Sequence, residues 1–199
     1  MPINAPPLDE SSKSTIHVKA VPGTDLWLKP PTMKIQNMPC YVANLSTPDF
    51  RCARVTVKAN WEQQYDQGGI VLFLPGWPSQ NVWVKTGIEF VDGKVNVSTV
   101  GARQAADWSL IPLPKGETSV TIEIEREEVN QENGTGTSLW VYVIERGERK
   151  AVREMTWVFK EKDDVGGNIS VGVYAARPKK DGLGKEDSLD VIFNDLRIR

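Results

Sequence analysis

The sequence predicts an all-β protein, a sandwich or barrel of short antiparallel strands. Three observations carry that expectation. Apolar and polar residues alternate with a period of two in segment after segment, the pattern of a strand with one buried face. Asp92-Gly93 sits between two such segments, and this dipeptide tolerates the positive φ angles of a tight hairpin turn. No amphipathic helical pattern longer than two turns interrupts the series.

Residues 1–15 are rich in Pro and Ser and lack periodicity, so they read as a flexible N-terminal arm ahead of a single domain over 16–199. Ile16, Val18 and Ala20 alternate with His17 and Lys19 in a first short strand. Pro22-Gly23 then turns the chain. Asp25-Leu26-Trp27-Leu28-Lys29 runs into Pro30-Pro31, which is expected to stop any regular element. A further strand is read at 40–45. Val55, Val57 and Ala59 point inward in the next, and Ile70, Leu72 and Leu74 oppose Val71 and Phe73 after it.

The longest alternation follows. Val82, Val84, Ile88 and Phe90 face one way; Trp83, Lys85 and Glu89 face the other. Lys94 to Val100 returns across the hairpin, with Asn96 and Ser98 on the face opposite Val95 and Val97. Asp107-Trp108-Ser109 reads as a sheet corner in which Asp107 and Trp108 fix a loop. Strands are read again over 120–125, 139–144, 151–159, 169–175 and 189–198, with a turn at Arg146-Gly147-Glu148. Roughly eleven or twelve short strands at fairly even spacing fit a sandwich or barrel.

Composition narrows the function classes. The chain has 199 residues, of which 40% are hydrophobic, enough for one sizeable core, and its net charge of -2 gives no argument for nucleic acid or membrane partners. No apolar run reaches the roughly 18 residues of a membrane span. The N-terminus has neither a basic start nor an apolar stretch, so a cytoplasmic location is expected. In that compartment Cys40 and Cys52 are read as reduced thiols. His17 is the sole histidine, which leaves no nucleophilic triad and no zinc ligand set. Asp163, Asp164 and Asn168 carry loop oxygens of the kind calcium uses, but a solvated acidic turn is the preferred reading. No metal and no cofactor is expected.

Three blocks resemble a known family. They are Tyr65-Asp66-Gln67-Gly68-Gly69, Trp83-Val84-Lys85-Thr86-Gly87-Ile88-Glu89-Phe90-Val91-Asp92-Gly93, and Asp107-Trp108-Ser109-Leu110-Ile111-Pro112-Leu113-Pro114. In that order they resemble the concanavalin A-like lectin/glucanase superfamily, in the branch with the yeast regulation-of-enolase protein. The resemblance covers roughly residues 24–198 and implies a two-sheet antiparallel jelly roll with a concave face. The chain departs from the branch where its members carry Trp-Arg-Lys-Thr and this sequence has Trp27-Leu28-Lys29-Pro30-Pro31. Glucanases of the superfamily carry Glu-x-Asp-x-x-Glu on one strand. Glu161-Lys162-Asp163 begins that pattern, but Gly166 stands where its second Glu belongs. Glycoside hydrolysis needs two carboxylates, so the hydrolytic activity is not expected.

The candidate working surface is the polar side of the central strands. Gln67, Phe73, Trp83, Asn96, Ser98 and Arg103 are the candidate ligand contacts, with Lys85 and Glu89 as candidate catalytic groups. A flat indole beside amides and charges suits a carbohydrate-like or other polyoxygenated molecule. The bland reading of the same residues is a solvated face with a Lys85–Glu89 neighbour pair. Lys85 and Glu89 lie four residues apart, about 13 Å along a strand, so they are expected to meet through a ligand rather than directly. The leading expectation is binding without hydrolysis. An isomerase or cyclase using the same pocket, with Lys85 and Glu89 as acid/base groups, is the alternative. A regulatory protein acting through protein contacts is a third.

Overall fold

The computed structural model describes residues 1–5, 15–128, 135–160, 167–180 and 187–199. Among them fifteen strands run in chain order: β1 (Pro2–Ile3), β2 (Thr15–Ala20), β3 (Leu26–Lys29), β4 (Met33–Gln36), β5 (Cys40–Ser46), β6 (Cys52–Lys58), β7 (Gln67–Phe73), β8 (Trp83–Val91), β9 (Lys94–Ala102), β10 (Ala106–Pro112), β11 (Ser119–Glu128), β12 (Thr135–Glu145), β13 (Glu148–Met155), β14 (Asn168–Ala176) and β15 (Leu189–Ile198). A one-turn 3-10 helix, Thr47–Asp49, follows β5. Among the described residues no helix is long and apolar enough to cross a membrane.

Two antiparallel sheets face each other. One has the order β1-β5-β14-β7-β8-β9-β10, the other β13-β12-β11-β6-β15-β2. The all-β sandwich expected from the period-two patterns is therefore the fold. Asp92 and Gly93 both adopt positive φ at the β8–β9 turn, and Arg146 and Gly147 do the same between β12 and β13. These two-residue turns fix register, pairing Val91 with Lys94 and Glu145 with Glu148. The inward residues of both sheets form the main core, including Ile70, Leu72, Val84, Ile88, Ile122, Val171 and Phe193. Each such side chain contributes about 1.5–3 kcal/mol when fully buried.

Two segments differ from their reading in sequence. Asp107-Trp108-Ser109 is not a corner; it lies within β10, paired along β9. Pro30-Pro31 does not end the local structure but turns it: β3 and β4 pair as a hairpin, Leu26 opposite Gln36 and Lys29 opposite Met33. Of the expected N-terminal arm, residues 6–14 lie outside the described residues, and Pro2–Ile3 pairs with Tyr41 and Cys40. Asp163 and Asp164 also lie outside the described residues, while Asn168 opens β14 opposite Ser46. Cys40 and Cys52 are not bonded to each other. Burial pushes the Cys40 thiol up to about 12, with the N-terminal ammonium acting in the opposite direction, so Cys40 is a packed apolar group.

The β3–β4 hairpin positions the site. It packs over the outer side of the seven-stranded sheet, away from the inter-sheet core. Leu26, Leu28 and Met38 cover Val71, Phe73, Trp83, Val100 and Tyr174 in a second apolar cluster, separate from the inter-sheet core. Its root is pinned by backbone and side-chain bonds: Asp25 N–H to Asn37 Oδ1 (2.8 Å), Asn37 N–H to the Asp25 carbonyl (3.1 Å), and Gly23 N–H to the Arg177 carbonyl (2.8 Å). Gln36 Nε2, also at the root, donates to Asn81 Oδ1 at 2.7 Å.

Candidate functional site

The hairpin divides the outer face of this sheet in two. Phe73 and Trp83 fall in the covered apolar half, Trp83 fully buried and Phe73 stacked on Trp77 at 3.9 Å. The other half is polar and leads to a pocket of about 440 Å³. Asp25, Trp27, Lys29, Met33 and Ile35 line it from the hairpin region, Tyr65 and Gln67 from the entry to β7, Glu89 and Trp108 from β8 and β10, and Pro178 and Lys179 from the segment after β14.

Its floor is a chain of buried polar groups. Gln67 and Glu89 are paired across β7 and β8. Between them and Lys85 lie Gly69 and Gly87, also opposed. A Cβ on Gly69 would stand 2.0 Å from the Thr86 carbonyl oxygen, and one on Gly87 2.1 Å from that of Gly68. The two strands thus approach where no other residue fits. With no side chains along this strip, Lys85 reaches the level of Gln67. Its Nζ donates to Gln67 Oε1 at 2.7 Å and to Asp25 Oδ1 at 3.1 Å, with the Trp27, Trp83 and Tyr174 rings 5.8–5.9 Å away. The neighbour of Lys85 is therefore Asp25, not Glu89, and neither Lys85 nor Glu89 is on a solvated face: they are 2% and 6% exposed.

Gln67 is fully engaged. Its oxygen also lies 3.5 Å from the Tyr174 hydroxyl, and its Nε2 donates to the Tyr65 carbonyl (3.2 Å) and Asp25 Oδ1 (3.4 Å). Glu89 is held from one side. Ser98 Oγ donates to Oε2 at 2.6 Å, and Trp108 Nε1 reaches both that oxygen (3.0 Å) and Ser98 Oγ (3.1 Å). Asn96 donates to the backbone carbonyls of Glu89 and Lys94. Burial holds the Glu89 carboxyl above its ordinary value of 4.5; the Lys85 ammonium and the Ser98 hydrogen bond oppose this, the Asp25 charge adds to it, and the Trp108 bond opposes it.

The walls are aromatic. Trp27 meets Trp108 edge-on, centroids 6.0 Å apart at 86°, and Tyr65 meets Trp108 at 6.3 Å and 66°. Tyr65 adopts a positive φ of 71°. Its turn is clamped by a buried ion pair: Arg177 Nε and Nη2 donate to the two oxygens of Asp66, both at 2.8 Å. Among the described residues, no hydrogen bond reaches Asp25 Oδ2 or Glu89 Oε1. The pocket thus offers aromatic walls, two carboxyl oxygens with spare capacity and two lining lysines, Lys29 and Lys179.

The structure brings Gln67, Lys85, Glu89, Asn96 and Ser98 into one buried network. Phe73 and Trp83 lie beneath the hairpin instead. Arg103 is exposed in the β9–β10 turn, and Asp107 pairs with Arg153 at 2.9 Å. Sequence reasoning missed Asp25, Trp27 and Tyr65, and read Trp108 as a loop anchor. The adjacent Asp25-Leu26-Trp27 and the Tyr65 that opens the first of the three blocks were the available signals.

Fold and site together define a β-sandwich with a pocket walled by a hairpin on the outer face of its seven-stranded sheet. The chain belongs to DUF1349, a family of proteins of unknown function, whose model matches residues 3–199. An uncharacterized protein of Emericella nidulans is 43% identical over 176 residues, 88% of this chain and 84% of that protein. A functionally unknown protein from Saccharomyces cerevisiae shares the fold over 100% of this chain and 95% of its own, with a TM-score of 0.76 at 19% identity. A xylan beta-1,4-xylosidase from Bacillus halodurans matches 81% of this chain but 30% of its own, with a TM-score of 0.54 at 14% identity.

Proposed function

We propose that this protein binds a flat, oxygen-bearing small molecule in the pocket beside the β3–β4 hairpin. The observation that carries the reading is the convergence of Trp27, Tyr65 and Trp108, from three separate elements, around Asp25 Oδ2 and Glu89 Oε1. The three rings pack edge to face into one continuous aromatic wall against which a flat ring can lie, and the two carboxyl oxygens fix its orientation. Lys85 serves Asp25 rather than the ligand, because its ammonium is buried behind Asp25 and Gln67. The xylosidase likeness is one of fold and concerns under a third of that enzyme, so the proposal is binding and does not extend to xylan hydrolysis. The order of the three sequence blocks, with the yeast match in fold, supports placement in the branch with the yeast regulation-of-enolase protein. Two unbonded cysteines support a cytoplasmic location.

The test is a thermal-shift and calorimetric screen of planar oxygenated ring compounds and monosaccharides against the parent chain and Trp108→Ala. The reading expects hits that raise Tm and are lost in Trp108→Ala. Hits unaffected by Trp108→Ala contradict it.

A further inference from the structure

The pocket's two spare carboxyl oxygens are not equivalent, and the difference specifies the ligand. Asp25 is ion-paired to Lys85 at 3.1 Å and therefore accepts hydrogen bonds. Glu89 is differently placed. Its Oε2 receives Ser98 Oγ–H at 2.6 Å and Trp108 Nε1–H at 3.0 Å. Ser98 Oγ itself lies 3.1 Å from the same indole N–H, so the serine hydrogen points to Glu89 and not back to the ring. An oxygen that accepts two donors is not the one to carry a proton. In the neutral acid the proton sits on Oε1, the oxygen without a partner, on a residue that lines the pocket.

Resting on the binding reading above, we propose that Glu89 acts as a carboxylic acid whose Oε1–H donates a hydrogen bond to a carbonyl oxygen of the bound ring. The ligand class is then a planar carbonyl compound rather than a polyol. A polyol oxygen offers its own hydrogen and is served as well by a carboxylate. A carbonyl oxygen has only lone pairs and is repelled by one.

The charged and titratable groups about Glu89 come from several elements, and Lys29 of the hairpin and Lys179 after β14, which line the same pocket, favour the carboxylate as cations do. Burial favours the neutral acid and Asp25 adds to it, while Lys85 on the same strand opposes it. Tyr174 from β14 contributes a neutral hydroxyl directed at Gln67. The net direction keeps the proton on Glu89 above the ordinary carboxylate range. No covalent step is involved.

The experiment is isothermal titration of the full chain with 4-chromanone (carbonyl), 4-chromanol (hydroxyl at the same carbon) and chroman (neither), across about pH 5 to about pH 9. The expected result is that 4-chromanone binds at least about tenfold tighter than chroman at the acid end and loses that margin as Glu89 ionises. Chroman binding stays flat with pH. In Glu89→Gln, whose amide presents N–H in place of O–H, the pH dependence of 4-chromanone binding disappears; in Glu89→Leu the preference for the carbonyl disappears. If all three probes bind equally at every pH, or 4-chromanol is preferred, the proposal is overturned while the pocket reading stands. If none of the three binds, both are overturned.

Discussion

Two buried ion pairs lie close to the pocket, and they are built to opposite specifications. Arg177 and Asp66 form a closed set. Two guanidinium nitrogens meet both Asp66 oxygens at 2.8 Å, the third meets Asp187 at 2.6 and 2.9 Å, and the Glu62 and Gln63 amides also donate to Asp66. Lys85 and Asp25 form an open set, with one contact at 3.1 Å and Asp25 Oδ2 unclaimed. The first pair spends all its hydrogen-bonding capacity on holding the turn that presents Tyr65. The second keeps some in reserve, directed at the pocket. Among buried charges, unused valence marks the site and full satisfaction marks the scaffold.

Breaking the closed pair should have the largest effect. Arg177→Met leaves Asp66, which has no exposure, as an uncompensated charge. A stability loss of about 3–5 kcal/mol is expected in urea unfolding. Lys85→Met tests the open pair. Asp25 borders the pocket, where water can enter, so the loss should be smaller, about 2–3 kcal/mol. Equal losses from the two variants would remove the distinction between them.

Trp108→Ala sharpens the comparison from the binding side. Trp108 is 37% exposed but donates to the buried Glu89 carboxyl and meets two rings, so stability should fall by about 1–2 kcal/mol. Binding of a pocket ligand should lose roughly 2 kcal/mol, the scale of an aromatic anchor. The ratio of these effects is the reverse of that expected for Arg177→Met.

The smallest effect concerns Glu89. Its buried carboxyl titrates above 4.5, so the folded chain holds this proton more tightly than the unfolded chain. The associated stability is present below pH 4.5 and is lost as pH rises through the raised value. Glu89→Gln, which has no charge to bury, should therefore match the parent in Tm at acid pH and exceed it modestly at neutral and alkaline pH. A constant difference at all pH values would contradict the assigned protonation.

The sequence made the sheets legible and left the site half legible, for physical reasons. Alternation along β8 gave the correct facing of Trp83, Lys85 and Glu89, because strand parity is a local property. Asp92-Gly93 and Arg146-Gly147 announced their turns because positive φ restricts residue type. Burial of the polar face was not legible. It depends on a hairpin of four-residue strands, too short to show a period, bent around a Pro-Pro that reads as a terminator. Asp25 meets Gln67 and Lys85 across 42 and 60 residues, and Arg177 meets Asp66 across 111. No local pattern encodes such pairings. Trp108 was visible but misread, since an indole that anchors a loop and one that walls a pocket look alike until the neighbours are placed.

The central claim is that ligand enters the pocket walled by Trp27, Tyr65 and Trp108. Indole N–H resonances of 15N-labelled protein test it most directly. Seven tryptophans serve as reporters, with Trp27 and Trp108 at the pocket and Trp140 on another strand, stacked with Tyr142. On titration with 4-chromanone at acid pH, the Trp108 and Trp27 signals should shift together and saturate, while that of Trp140 stays in place. Saturable shifts at Trp140 with Trp27 and Trp108 unmoved would contradict the account.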